Sequence, residues 1–231
     1  MKKCFLLSLK CILLFALILG CSSLQVKREV NENTFVSSYP NVAIKLKPEF
    51  KYIGNPSEAT LGKSVDNSRD LRVRWDSYCF VKADKDKAAK AVTIQIETVE
   101  TRFISDFFRN VKNAAAKGTA EIGGKKFQYF TSVVEPTMDS LLTRFYTGQG
   151  YKMSPGLMTV LARIYGTRGD TLVKILYYEP LENPELNNMS WKNADDLTQK
   201  QIEYMKNFNS RAISAFELMS DKLNLASGDL Q

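Results

Sequence analysis

The sequence predicts an α+β domain, an antiparallel β-sheet packed against a long C-terminal helix, and three observations support this. From Asn41 onward, apolar and polar residues alternate with period two in segments separated by turn residues. The C-terminal part of the chain instead carries a single apolar stripe at helical spacing. No internal repeat, low-complexity tract or Gly/Pro/Ser linker divides residues 41–231, so one globular domain is expected there.

Ahead of that domain, residues 1–20 read as a secretory signal peptide. Met1-Lys2-Lys3 places positive charge at the N-terminus, and residues 11–19 (CILLFALIL) are an unbroken apolar run ending at Gly20-Cys21. A membrane-spanning helix needs about 20 apolar residues, roughly twice this run. Lys10 interrupts the apolar stretch that begins at Cys4 and is read as the end of a long charged region; the alternative is an uncleaved membrane helix from Cys4 to Gly20 with Lys10 reaching for an interface. Ile18-Leu19-Gly20-Cys21 resembles the lipobox of bacterial lipoproteins, a resemblance confined to residues 1–21. It implies cleavage after Gly20 and lipidation of Cys21, with two or three acyl chains holding the protein at a membrane. A single chain binds only marginally, at about 0.8 kcal/mol per buried methylene. Ser22 after the lipidated cysteine resembles the outer-membrane sorting pattern of bacteria with two membranes. Residues 21–40 are then expected to be a tether reaching roughly 20–25 Å, although Val26, Val30 and Phe35 leave room for docking.

The clearest strand pattern is residues 71–82. Leu71, Val73, Trp75, Ser77, Cys79 and Val81 point one way, and Arg72, Arg74, Asp76, Tyr78, Phe80 and Lys82 the other. Across the charged turn at residues 84–87, residues 91–101 alternate again, completing an antiparallel hairpin. Gly123-Gly124 signals a second hairpin between residues 119–122 and 126–134. A third joins residues 157–165 to 171–178 through Thr167-Arg168-Gly169-Asp170, with Met158, Val160, Ala162 and Ile164 expected to face Val173, Ile175 and Tyr177. Leu161 and Leu176 on the other side suggest that both faces are covered.

The covering material is expected from the C-terminal helix. Asn193 is its predicted N-cap, with Asp195 and Asp196 in the first turn, where the helix dipole favours acids. Its stripe runs through Leu197, Met205, Phe208, Ala212, Ala215, Phe216, Met219 and Leu223. Shorter helices are expected at residues 106–117 and 140–147. The order of strands followed by a terminal helix is loosely similar to PsbP-like sandwiches, which also occur as exported or lipid-anchored proteins.

Composition narrows the chemistry. The chain contains no histidine, which removes the commonest general base, the commonest zinc ligand and every Ser-His or Cys-His dyad. No metal site and no cofactor are expected. Cleavage would remove Lys2, Lys3 and Lys10, lowering the formal charge of +7 by three to +4. The remaining charges are mixed along the chain, which argues against nucleic acid as a partner. After processing, Cys79 is the one thiol left beside the lipidated Cys21, so no internal disulfide forms. Its strand parity places it in the core.

The strongest surface candidate is the Arg72, Arg74, Tyr78, Phe80 and Lys82 face, which interleaves cations and aromatics as ligand-binding surfaces do. The plainer alternative is a solvated face of weak ion pairs. Gly148-Gln149-Gly150 lacks the strand-and-helix context of a phosphate loop. Together these features predict a lipid-anchored cell-envelope protein, outer-membrane where there are two membranes, acting as a non-enzymatic binding or assembly module. Its expected partners are the membrane, through the lipid, and another envelope protein or a small ligand. The alternatives are an envelope enzyme without histidine and a structural spacer.

Overall fold

The structure, a computed structural model, describes residues 26–63, 70–99, 114–165, 171–183, 186, 190–191 and 194–219. The expected signal peptide, residues 1–20, and Cys21 lie outside the described residues. Two antiparallel sheets dominate. The smaller contains β1 (Arg28–Asn31), β2 (Thr34–Ser38), β3 (Asn41–Leu46) and β12 (Phe216–Met219), in that order. The larger contains β4 (Lys51–Gly54), β5 (Ser57–Lys63), β6 (Asp70–Asp84), β7 (Lys87–Val99), β8 (Ala116–Ile122), β9 (Lys125–Val134), β10 (Gly156–Tyr165) and β11 (Thr171–Pro180). Its strand order is β4-β6-β7-β11-β10-β9-β8, with β5 also pairing β6. Two helices, α1 (Leu141–Gly148) and α2 (Gln199–Ser214), complete the described elements apart from a 3-10 turn at Ala194–Asp196. No helix among the described residues is long and apolar enough to cross a membrane.

The molecule is thus predominantly β-sheet, and the expected α+β fold with a long C-terminal helix is corrected. α2 starts later than Asn193, because Thr198 and Gln201 form a capping box that satisfies the first free N–H groups. It ends at Ser214, and the chain enters β12, where Phe216 lies opposite Leu46 of β3. Of the last members of the expected helical stripe, Ala215 and Phe216 are buried, Met219 is exposed at the end of β12, and Leu223 lies outside the described residues. The expected tether is corrected as well. Residues 28–38 form β1 and β2, and β2 pairs with β3 along Thr34 to Ser38. Phe35 is fully buried, which ties this segment into the core. Of the helix expected at residues 106–117, the last positions belong to β8 and residues 106–113 lie outside the described residues. The helix expected at residues 140–147 forms as α1, capped by the Ser140 side chain.

All three expected strand pairs form; the turn expected at residues 167–170 lies outside the described residues. β6 and β7 are joined at Lys85-Asp86, and Asp84 lies opposite Lys87. β8 and β9 turn through Gly123 and Gly124, at φ +55 and +69, the left-handed pair that a two-residue hairpin turn requires. In the β10–β11 hairpin the register places Leu161 opposite Ile175 and Val160 opposite Leu176. Val173, Ile175 and Tyr177 therefore share a face with Arg163, Leu161 and Thr159, a correction to the expected pairing. A one-residue difference in register exchanges the two faces of a strand.

Both faces of the larger sheet are covered, and nearly every residue of β11 is buried. On one face the smaller sheet and α2 enclose the main core, which contains Phe35, Ile44, Phe80, Ile94, Ile175 and Phe208. The Phe35 and Tyr78 rings lie 4.5 Å apart, and those of Tyr177 and Phe208 5.5 Å apart. On the reverse face, α1 seats Tyr146 over Cys79, Val81, Ala91 and Tyr178.

Candidate functional site

Following the register across the core face locates the site. One row runs Phe80, Val92, Tyr177, Thr159, Thr131, Ala116, and the next Tyr78, Ile94, Ile175, Leu161, Tyr129, Gly118. The central strands carry large apolar groups that pack under the smaller sheet. Towards β8 the side chains become small or hydroxylated, and among the described residues α2 stands over them. The result is a groove of about 620 Å³ between α2 and strands β8 to β10, within the size range of ligand pockets. Ala116, Ala120, Leu161, Ile202, Met205 and Ile213 supply most of its apolar wall.

Its polar floor is formed by Thr159 of β10 and Asn209 of α2, with Thr131 of β9 buried behind them. Thr131 of β9 and Thr159 of β10 are directly opposite, both are buried, and their hydroxyl oxygens lie 2.7 Å apart. Asn209 of α2 brings its Oδ1 to 2.8 Å from the Thr131 hydroxyl and 2.7 Å from that of Thr159, accepting from both. Tyr129 lies over Gly118, where an added Cβ would come within 2.9 Å of the ring. Gly118 is thus small because the aromatic ring occupies the space above it. Lys206 and Glu121 also line the groove.

The other flank of α2 carries an ionic cluster. Arg211 Nε donates to both oxygens of Glu179, at 3.0 and 3.1 Å, and Nη2 donates to Oε2 at 2.6 Å. The Tyr177 hydroxyl donates to Glu179 Oε1, and Lys90 Nζ lies 3.6 Å from it. Burial acts to raise the Glu179 carboxyl, but the bonds from Arg211 and Tyr177, with Lys90 nearby, outweigh it and hold the group below the ordinary carboxylate range. The Tyr177 phenol is pushed up, first by burial and then by Glu179. Arg211, Tyr177 and Lys90 all converge on Glu179, so the cluster fastens α2 to β11.

The face proposed from sequence is divided by the fold. Tyr78 and Phe80 are core residues, the latter packing on Tyr52 at 5.3 Å between rings. Arg74 donates to Asp76 at 3.0 Å, and Asp76 also receives Arg28 at 2.5 Å. Lys82 donates to Glu49 at 3.1 Å. Arg72 lies on β6 opposite Leu61, and its side chain is outside the described residues. The alternation was real, but the smaller sheet covers the middle of the strand, leaving only its charged ends near solvent. Gly148 closes α1 and Gly150 adopts φ +87, so the glycine pair there is a turn.

Cys79 is fully buried, and burial pushes its thiol up to about 12. Iodoacetamide is expected to label it only once denaturant opens the domain; fast labelling of the native protein would contradict this placement. Nearby, a second cavity of about 190 Å³ lies between α1 and the reverse face, lined by Leu142, Met153, Met158, Leu176 and Tyr178 among others. Its phenols are already engaged, Tyr146 with Thr93 at 3.2 Å and Tyr178 with the Ser154 carbonyl. Among the described residues, no group of three or more His, Cys, Asp or Glu side chains is placed to hold a metal ion.

The chain matches no family model, no curated protein and no solved structure.

Proposed function

We propose that this chain is a lipid-anchored cell-envelope protein whose domain is a non-enzymatic binding module, and that its ligand lies in the groove beneath α2. The observation that carries this reading is the groove's construction: an apolar wall from two layers of the fold converging on a preorganised cluster of two hydroxyls and an amide. Preformed pockets of this kind bind by apolar burial and use a few polar groups to orient the ligand. The lipobox-like segment at residues 18–21 supports the envelope location, and the absence of histidine supports binding over acid–base chemistry.

The test uses the full mature chain, freed of small molecules in denaturant and refolded. An organic extract of the cell's own envelope is expected to raise its Tm by about 5–10 °C, since a ligand at 100 times its Kd adds about 2.7 kcal/mol. Ala120→Trp, which fills the groove, is expected to fold and to show no such rise. Equal stabilisation of both proteins, or of neither, would count against the groove.

A further inference from the structure

The floor of the groove specifies the polarity of its ligand, and this inference rests on the groove being a binding site. Thr131 and Thr159 are 0% and 1% exposed, so their hydroxyl protons must be satisfied inside the protein. Three oxygens, the two hydroxyls and Asn209 Oδ1, lie within 2.8 Å of one another. With the amide oxygen inward, both hydroxyl protons have an acceptor. With the amide turned round, an N–H would donate to one threonine, that threonine to the other, and the last hydroxyl proton would have no acceptor among the described residues. The buried pair therefore fixes the amide with Oδ1 inward. That leaves Asn209 Nδ2, which has no protein acceptor among the described residues, as an outward donor.

Lys206 lies one helical turn earlier on the same wall. Its ammonium has no carboxylate partner among the described residues, and Ser210 points its hydroxyl proton away, to the Lys206 carbonyl at 3.0 Å. The free polar groups of α2 in the groove are thus donors and a cation, while the groove's acid, Glu121, belongs to β8 and not to this wall. Its length is also limited: the α2 wall from Ile202 to Ile213 rises about 16 Å at 1.5 Å per residue.

We propose that the groove takes a monocarboxylate with an extended apolar tail, its carboxylate on Asn209 Nδ2 and Lys206 Nζ and its tail along Leu161, Ala120 and Ile213. Specificity of this kind is strong because the wrong head group leaves a polar atom unpaired or sets like charges together.

Decanoate and decylammonium are suitable probes because they share a tail and differ in the sign of the head. Calorimetric titration of the full mature chain is expected to show decanoate binding about ten-fold or more tighter than decylammonium. Asn209→Asp keeps the inward acceptor for both threonines but replaces the outward N–H donors with a carboxylate oxygen. It should leave Tm nearly unchanged and weaken decanoate about ten-fold or more, and Lys206→Gln should weaken it several-fold and reduce its salt dependence. Ala120→Trp should abolish decanoate binding. The inference is overturned if decylammonium binds as well as decanoate, if neither binds, if Asn209→Asp leaves decanoate unaffected, or if Ala120→Trp still binds it. Should the envelope extract still stabilise the wild type and not Ala120→Trp, the groove stands as a binding site and only the carboxylate assignment falls. Loss of that difference as well would remove both.

Discussion

Replacing Phe208 by alanine is expected to destabilise the domain by about 3–5 kcal/mol, lowering Tm on the order of 10 °C. Phe208 is fully buried and its ring meets Tyr177 of β11. α2 has four buried residues, Gln201, Met205, Phe208 and Ala212, and Phe208 is the largest apolar one. Its removal leaves a cavity between helix and sheet, which the surrounding strands are too extensively paired to collapse. Asn209 is the next residue on the helix, so ligand binding should weaken along with stability. Ile202→Ser, at a position 41% exposed on the same helix, is the control and should cost well under about 1 kcal/mol. Urea unfolding of the three proteins measures the effect; equal midpoints for wild type and Phe208→Ala would show that α2 is not seated as described.

Glu179→Gln is expected to cost about 2–3 kcal/mol at neutral pH. Breaking a fully buried ion pair costs about 3–5 kcal/mol, and the smaller value follows because the Arg211 side chain is 40% exposed and can turn to water. The pH dependence has a definite sign. Glu179 has a lowered folded-state pKa, so its stabilisation is fully present above the unfolded carboxylate value of about 4.3 and is lost as pH falls through the lower folded value. The difference between wild type and Glu179→Gln should therefore be constant from about pH 5 to 7 and shrink below about pH 4. Denaturation midpoints across that range measure it. A difference that grows on acidification would show that Glu179 is not held ionised by Arg211 and Lys90.

The hairpins were legible from their alternation, and the β8–β9 hairpin also from a turn that few residues allow, at Gly123-Gly124. Which face was buried was much less legible. β11 is buried on both sides, and in β6 Cys79 and Val81 pack in the cluster under α1 while Tyr78 and Phe80 pack in the main core. Alternation then separates two cores and does not separate core from water, so cations flanking aromatics suggested a surface where there is an interior. The helix was read too long for a related reason: Ala215, Phe216 and Met219 satisfy a helical stripe, yet Phe216 is held opposite Leu46 in a strand. Residues 28–38 looked like tether because the strands are short and polar on one side, and their partner β3 was not recognised as belonging to a second sheet.

The groove left almost no sequence signal. Thr131, Thr159 and Asn209 are ordinary residues separated by 28 and 50 positions, brought together by the β9–β10 register and the placement of α2. Only the reduction in side-chain size across the sheet, from Tyr177 to Thr159, Thr131 and Ala116, marks the place, and it becomes visible once the strand order is known.

Native mass spectrometry of the full chain isolated from the membrane of its own cell tests the account most directly, because one spectrum reads both anchor and ligand. The expected species begins at Cys21, carries covalent lipid there, and holds a small-molecule adduct that is lost on gentle activation and is absent from Ala120→Trp. A chain without lipid on Cys21, or an adduct equally present in Ala120→Trp, would contradict it.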